Sequence, residues 1–459
     1  MVTPKKLKIY SLKDIDSIPQ IKILSENELS ALKVVATVLP FRTNNYVLEK
    51  LINWNNVPED PMYQLNFMQK GMLTTTQFDE MSSAIKRNSS SEIINTAIKI
   101  RTKLNPHPAG QTNANIPKLN NKTIPGLQHK YKETVLVFPP KGQTCQAYCT
   151  FCFRWAQFVD SNNIKFSTCN KKDFLSYLRL HKEITDVIIT GGDPMIMSAN
   201  NMKKFISPLL EPEFEHLQSI RIGTKSLSYW PYRFVTDNDA DHILRLFEQV
   251  KNSGKNISLM AHFNHYVELS TDVVKVAIKR ILSTGAQIRT QSPVIKYIND
   301  EPKVWEKMWK DQVALGCVPY YMFVERDTGA NNYFEIPLVK AYNIYREAII
   351  KTSGLCRTVR GPVMSALPGK VMVNGITLIN REKVFQLSLI QGRNPEWCYK
   401  PFYAKFSSSA TWLNQLKPAF GEAKFFYHNE LNEKLIEAEN YDLLFNDEFL
   451  DTQSQLNYN

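Results

Sequence analysis

The sequence predicts an α/β fold, a partial (βα)6 barrel with a mostly helical N-terminal extension and a mixed C-terminal extension. From about residue 133, six short runs rich in apolar and β-branched residues alternate with longer amphipathic stretches, and three of those stretches end in a glycine. This alternation is typical of parallel strands joined by right-handed crossovers. Catalytic residues are then expected at the carboxyl ends of the strands.

Each element follows from its own residues. Strands are predicted where apolar and β-branched residues stand together, at 134–138, 186–190, 219–224, 257–263, 287–292 and 318–324. Helices are predicted where apolar residues recur at helical spacing, at 172–183, 201–210, 239–254, 271–285 and 301–316. Gly254, Gly285 and Gly316 would close the last three helices.

The chain outside this repeat has a different character. Helix candidates lie at 27–39 and 91–104, before a loop rich in Pro, Asn and Gly at 105–117, and the pattern weakens after residue 375. We therefore predict three units: a helical extension at 1–125, the barrel at 126–375, and a C-terminal extension with a polar tail at 376–459.

Composition excludes several classes of protein. The net charge is +12, but the lysines are scattered, so nucleic-acid binding is not expected. The chain has no run of 18 apolar residues and its start has no apolar core of signal-peptide length, so we expect a cytoplasmic protein without a membrane span. Seven cysteines, an odd number, argue against a disulfide framework.

Three of the cysteines crowd into eight residues. Cys145, Cys149 and Cys152 have the spacing C-x3-C-x2-C just after the first predicted strand. Thiolates suit iron–sulfur clusters, and three of them would leave one iron of a 4Fe–4S cluster open for the amino and carboxylate groups of S-adenosylmethionine (SAM). The alternative is a structural zinc site, which needs four ligands and for which Cys169 could supply the fourth.

The cysteine spacing resembles the signature of the radical SAM superfamily, and residues from about 106 to 375 resemble its lysine 2,3-aminomutase family. The matching blocks stand in family order: HPAGQ (107–111), IPGLQHKY (124–131), the cysteine motif with Arg154, TGGDP (190–194), RIGT (221–224), HFNH (262–265), TQS (290–292), IND (298–300), PYY (319–321) and PGK (368–370). Each block alone is weak evidence for the family, but ten blocks in the same order over more than half the chain are strong evidence.

The resemblance implies a SAM site beside the cluster. Gly191, Gly192 and Asp193 would bind the amino group of SAM, because glycines allow close approach and the carboxylate is an acceptor. Gln291 would be a further SAM contact, with His262 and His265 nearby. From the residues alone, a plain tight turn, a polar loop glutamine and hydrogen-bonded core histidines stay open as alternatives.

The resemblance also implies a second cofactor and a substrate clamp. Lys370 would form a Schiff base with pyridoxal phosphate (PLP), for which a desolvated amine of lowered pKa is suited. Lys130 and Tyr131 would lie near the PLP phosphate. Arg154 would hold the substrate carboxylate through its planar guanidinium.

Some positions depart from the family pattern. Arg326 and Ser365 stand where the lysine enzymes use two aspartates for the distant ammonium of lysine, although a one-residue slip would place Asp327 there. A positively charged side chain at this part of the substrate site predicts an α-amino acid substrate with an acidic or neutral side chain. Thr134 and Phe151 stand where the family has a phosphate-binding arginine and a histidine, which weakens the implication of PLP.

The predicted function is therefore that of a radical SAM aminomutase. A 5′-deoxyadenosyl radical formed from SAM would drive a PLP-dependent 2,3-migration of an amino group on an α-amino acid. The expected partners are a small-molecule substrate and a reducing donor such as flavodoxin or ferredoxin, and a homo-oligomer is allowed. The alternatives are a PLP-independent radical SAM enzyme that modifies a peptide, and a non-catalytic iron–sulfur or zinc protein.

Overall fold

A helical unit precedes the barrel. The computed structural model describes residues 2–111, 114–159 and 170–436, so the candidate ligand Cys169 lies outside the described residues. The first unit consists of β1 (Ile9–Ser11), α1 (Glu26–Val38), β2 (Arg42–Asn44), α2 (Pro61–Asn66), α3 (Thr75–Lys86) and α4 (Ser90–Lys103). Helix α1 begins where Ser25 accepts a hydrogen bond from the Glu28 amide, and it buries Leu32 and Val35 on one face.

A sheet of eleven strands forms the centre of the molecule. After the hairpin of β3 (Lys118–Leu119) and β4 (Lys122–Thr123), its strands are β5 (Leu127–Tyr131), β6 (Thr134–Val137), β7 (Asp186–Ile189), β8 (Ser219–Thr224), β9 (Asn256–His262), β10 (Gln287–Val294), β11 (Val318–Val324), β12 (Arg360–Ser365), β13 (Gly369–Ile379), β14 (Glu382–Gly392) and β15 (Pro401–Lys405). The strands lie in chain order, and β6 to β12 are parallel.

Helices alternate with the parallel strands along the chain. They are α5 (Lys171–Leu180), α6 (Ala199–Ile206), α7 (Ser226–Tyr229), α8 (Ala240–Asn252), α9 (Asp272–Ser283), α10 (Pro302–Ala314), α11 (Asn331–Phe334) and α12 (Leu338–Ile349). Gly254, Gly285 and Gly316 follow α8, α9 and α10 with φ of 83°, 81° and 85°. The prediction that these glycines close helices in the left-handed conformation is therefore confirmed.

The predicted α/β barrel class is confirmed, and its parallel part has one strand more than predicted. All six predicted strands are present, and β12 adds a seventh parallel strand. Sequence reasoning missed β12 because Gly361 and Pro362 interrupt its short apolar run, and both residues normally argue against a strand interior. Strand β13 passes through the boundary predicted after residue 375, so the sheet continues into the predicted extension. The division into three units stays a prediction.

The sheet curls until its first strand meets its last ones. Strand β5 pairs antiparallel with β6 at one edge, while β13, β14 and β15 continue antiparallel from β12 at the other. The Lys130 ammonium on β5 donates to the carbonyl of Ala366, between β12 and β13. The space between the two edges is the inner cavity, which contains Lys370.

The largest apolar core lies between the parallel strands and their helices, with residues such as Val187, Ile222 and Leu259 fully buried. A second core belongs to the N-terminal unit and takes in Phe151 and Trp155 from the cysteine loop. None of the helices in the described part combines the length and apolar composition that crossing a bilayer requires.

Candidate active site

The three clustered cysteines lie on the loop after β6 and line one cavity of about 140 Å³. All three are free thiols. Burial, followed by the nearby Asp193 and the other two thiols, raises the pKa of Cys145, and burial with the charge of Cys149 raises the pKa of Cys152 to about 12. Bringing three thiolates together without a cation is therefore costly, and a cationic metal group would remove that cost.

The N-terminal unit holds the cysteine loop in place. Arg42 on β2 donates to the Thr144 hydroxyl at 2.8 Å and to the Cys145 carbonyl at 3.2 Å. The Tyr148 amide donates back to the Arg42 carbonyl at 2.9 Å. The first hundred residues, to which sequence reasoning gave no role, thus position the cysteines.

The glycines at 191 and 192 pack against the cysteine loop. A Cβ on Gly191 would lie 2.5 Å from the Gly142 carbonyl oxygen, and one on Gly192 would lie 2.6 Å from the Thr144 carbonyl oxygen. The Gly192 amide donates to the Gly142 carbonyl at 2.9 Å. Both glycines line the cysteine cavity, but their missing side chains are required by contact with the chain itself.

The Asp193 carboxylate is held by donors of the chain itself, and its contact with the amino group of SAM stays a prediction. Asp193 is 1% exposed, and its oxygens accept from the Thr224 hydroxyl at 2.8 Å, the Lys225 amide at 2.8 Å and the Ser226 hydroxyl at 3.0 Å. The Met195 amide is a further donor, at 2.9 Å. These donors occupy the carboxylate, so Asp193 fixes the turn after β7 to the end of β8.

We expect Asp193→Ala to lower the free energy of unfolding by about 3 kcal/mol, because the buried donors lose their charged acceptor. Urea unfolding followed by circular dichroism, without added cofactor, measures this loss. Asp272→Ala is the matched control, since that side chain is 95% exposed and its change should be small. Equal losses in the two variants would contradict the role given to Asp193.

Lys370 lies in a second, inner cavity of about 230 Å³. Its Nζ donates to Gln391 Oε1 at 2.5 Å and lies 4.9 Å from the ring centroid of Tyr321 and 5.2 Å from that of Tyr131. Burial, followed by the positive charge of Arg221, lowers the pKa of Lys370 to about 7. Lys370 is the second residue of β13, opposite Gln391 of β14.

Lys130 and Tyr131 reach the same cavity from β5. Burial, followed by the charges of Arg393, Arg326 and Lys370, lowers the pKa of Lys130 well below its ordinary value. Burial raises the pKa of Tyr131. The inner cavity therefore brings several cationic groups together, which fits an anionic ligand.

Arg154 and Arg326 lie on the ring of Phe153. Their guanidinium carbons are 5.1 Å and 4.8 Å from its centroid. Arg326 donates to the Ser365 carbonyl at 3.1 Å and to its hydroxyl at 3.3 Å, so the two predicted substrate positions are in contact. Burial, followed by the charge of Arg326, lowers the pKa of Arg154 to about 9. Asp327 does not line this cavity, which favours the alignment without the one-residue slip.

Five residues line both cavities: Phe151, Phe153, Arg154, His262 and Gln291. Burial, followed by the charge of Lys225, lowers the pKa of His262 to about 3, so its imidazole is neutral near pH 7. The cysteine cavity and the Lys370 cavity are thus neighbours across one layer of side chains.

The comparisons with known proteins decide the family. A protein of Aquifex aeolicus (strain VF5) described as "Putative L-lysine 2,3-aminomutase" is 31% identical over 375 residues, which cover 81% of this chain and 86% of that protein. The chain belongs to the lysine 2,3-aminomutase family. It is a radical SAM enzyme of that family, and membership implies SAM and a 4Fe–4S cluster as cofactors.

Other comparisons add less. The L-lysine 2,3-aminomutase of Bacillus subtilis (strain 168) is 26% identical over 231 residues, 50% of this chain and 46% of that protein. No family model matches the chain. A radical SAM methyltransferase from Sphaerobacter thermophilus aligns over 58% of this chain and 83% of its own with 11% identity and a TM-score of 0.34, and this likeness carries no part of the assignment.

The donor set at the cysteine loop fits the cluster that the family implies. Three free thiols line one cavity, and each would bind a different iron. Among the described residues, no three or more His, Cys, Asp or Glu side chains are grouped to hold a single metal ion. The zinc alternative depends on Cys169, which lies outside the described residues, so it is not tested. The inner cavity likewise fits PLP, because a buried amine of lowered pKa lies among cations.

Sequence reasoning missed one buried network beside the cysteines. Lys225 lines the cysteine cavity and donates to Glu268 Oε1 at 2.6 Å and to Asn264 Oδ1 at 2.8 Å. Its neighbour Tyr229 places its hydroxyl 3.1 Å from Cys149 Sγ. The position of Lys225 one residue after β8 was the signal in the sequence that could have indicated this network.

His265 caps a helical turn by accepting from the Val267 amide at 3.3 Å and does not line either cavity.

Proposed function

We propose that the protein is a PLP-dependent radical SAM aminomutase that moves an amino group between the α and β carbons of an amino acid with an acidic or neutral side chain. One observation carries the proposal: the cavity of Cys145, Cys149 and Cys152 adjoins the cavity of Lys370. A carbon radical formed beside the cysteines is therefore close to a substrate held beside Lys370, as hydrogen transfer requires.

The cofactors would supply the difficult chemistry. The cluster and SAM would supply the radical, and PLP on Lys370 would supply a π-system that stabilises an unpaired electron on the substrate. The chain's own contribution is binding, orientation and the exclusion of water, through the five residues that the cavities share. Gly191, Gly192 and Gln291 line the cysteine cavity, where SAM would lie.

The two guanidinium groups give the proposal its substrate class. Arg154 and Arg326 both line the inner cavity, and neither forms an ion pair within residues 2–111, 114–159 and 170–436. Two buried cations without a carboxylate partner fit a ligand with two anionic groups. We assign the α-carboxylate to Arg154 and a side-chain carboxylate to Arg326, with the Ser365 hydroxyl as a further donor.

A reconstitution experiment tests the proposal. The purified chain is loaded anaerobically with iron and sulfide, then given SAM, dithionite and PLP. We expect 5′-deoxyadenosine to form and a pyridoxyl group to remain on Lys370 after borohydride reduction. We also expect a β-amino acid product from glutamate or a neutral amino acid. Nucleoside release with no PLP on Lys370 would favour instead a radical SAM enzyme that works without PLP.

Arg326→Asp is expected to lower kcat/KM for an acidic substrate by about 100-fold, because a charge-assisted hydrogen bond becomes a repulsion. Chromatography of the amino acid products under reducing anaerobic conditions measures the change. Arg346→Asp, on the exposed face of α12, makes the same charge change away from the site and should leave kcat/KM unaltered. Turnover of lysine by the unmodified enzyme, with acidic and neutral amino acids inert, would contradict the assignment.

A further inference from the structure

The barrel has a second opening at the amino ends of its strands, away from the cysteines. A cavity of about 320 Å³ there, which we call the polar mouth, is lined by polar side chains. Its outer layer consists of Thr134, Asp186, Ser219 and Asn256, the first residues of β6 to β9, which pair in register across the sheet. The polar residues thus form a layer around the rim.

The next layer inward is polar as well. Arg221 pairs in register with Ser258, and Ser258 pairs with Gln287 of β10. Residues two apart on a strand point to the same face, so Arg221 and Ser258 lie above Ser219 and Asn256. Closed barrels usually fill such positions with bulky branched residues and have a packed interior. Here the polar side chains leave a hollow.

The polar mouth carries positive charge. Arg221 is paired with Asp186, its Nε 2.9 Å from Oδ1. Arg289 bonds to Gln287 Oε1 at 3.0 Å, and Arg360 lies 4.6 Å from the ring centroid of Tyr320, which lines the mouth. In the part of the chain that the structure describes, neither Arg289 nor Arg360 forms an ion pair. Two uncompensated guanidinium groups beside a polar hollow favour an anion.

The polar mouth adjoins the cavity of Lys370 across one layer of side chains. Thr134, Arg221 and Gln391 line both. Gln391 is also the residue that accepts the hydrogen bond from the Lys370 ammonium. Lys370 is thus one layer of side chains from the polar mouth, on the side of the barrel away from the cysteines.

We propose that the polar mouth binds small molecules bearing a phosphate group and is the entrance through which a phosphorylated aldehyde reaches Lys370. The planar forks of Arg289 and Arg360 suit a phosphate better than a single-point anion. Condensation of the lysine amine with the aldehyde releases one water and needs no oxidant or reductant. The inference rests on the proposed function in one respect, that Lys370 takes up PLP.

The test follows the rate of PLP attachment. Protein is mixed with PLP, samples are reduced with borohydride at successive times, and the pyridoxyl group on the Lys370 peptide is measured by mass spectrometry. We expect Arg289→Glu and Arg360→Glu each to slow attachment about tenfold, and added salt or inorganic phosphate to slow it in the unmodified protein. Arg245→Glu, on the exposed face of α8, is the matched control and should attach PLP at the unmodified rate.

The outcomes separate this inference from the proposed function. Attachment to Lys370 at equal rates in all four proteins would overturn the polar mouth as an entrance and leave the aminomutase proposal standing. No attachment in any protein would count against PLP. Calorimetry with inorganic phosphate would then decide: weaker binding by Arg289→Glu than by Arg245→Glu supports the anion site, and equal binding overturns it. Circular dichroism confirms that each variant is folded.

Discussion

Lys370→Ala is expected to abolish covalent attachment of PLP and to lower aminomutase turnover at least about 10³-fold, while 5′-deoxyadenosine still forms from SAM. The reason is geometric: Lys370 lines the inner cavity, whereas the cysteines line the neighbouring one. The measurements are mass spectrometry of the borohydride-reduced protein, product analysis, and nucleoside release in the presence of dithionite.

Two lysine variants control this prediction. Lys370→Arg keeps the positive charge but cannot condense with an aldehyde, so it should fail in the same way as alanine. Lys130→Ala removes the other lysine of lowered pKa in the cavity and should still allow a pyridoxyl group on Lys370. A pyridoxyl group found on Lys130 in the unmodified protein would refute the choice of Lys370.

The pKa of Lys370 determines whether the rate of PLP attachment rises or falls with pH. Only the neutral amine attacks an aldehyde, and a pKa of about 7 means that its neutral fraction rises from about 10% at pH 6 to about 90% at pH 8. The rate of PLP attachment should therefore rise about ninefold over that range and level off above it. A rate that keeps rising towards pH 10 would indicate an ordinary lysine.

Serine in place of Cys145, Cys149 or Cys152 is expected to reduce bound iron at least about tenfold and to lower SAM cleavage to background, because a hydroxyl is a poor ligand for iron–sulfur clusters. Iron and sulfide analysis after anaerobic reconstitution measures the first effect, and chromatography of 5′-deoxyadenosine measures the second. Cys398→Ser is the matched control, since that partly exposed thiol lies in the C-terminal extension and lines neither cavity. Its iron content should equal that of the unmodified protein, and unchanged iron in all three site variants would remove the basis of the cluster assignment.

Much of the fold was predictable because the sequence patterns that specify its strands and helices involve residues close together in the chain. Apolar runs and terminal glycines located the six predicted strands and the helices between them, since strand and helix formation depend mainly on neighbouring residues. The seventh strand escaped because Gly361 and Pro362 oppose a strand locally, and its place is set by pairing with β11. Neighbouring elements overrode the local preference there.

The candidate site was only partly predictable for a related reason. The spacing of Cys145, Cys149 and Cys152 specified thiol ligands without any knowledge of the fold. The orientation of Asp193 could not be inferred, because most of its hydrogen-bond donors lie at and just after the end of β8, about 30 residues further along the chain. Arg326, and not its neighbour Asp327, contacts Ser365. That contact likewise depended on how the ends of β11 and β12 are placed beside each other.

The sequence by itself determined the family, the order of strands and helices, and the thiols and lysine from which the site is built. Only the tertiary structure decided that the cysteine cavity adjoins that of Lys370, that β2 supports the cysteine loop, and that a polar mouth opens at the far end of the barrel. The physical reason is the distance along the chain between contacting groups. Lys130 and Ala366 are 236 residues apart, and such a contact depends on how the whole sheet curls.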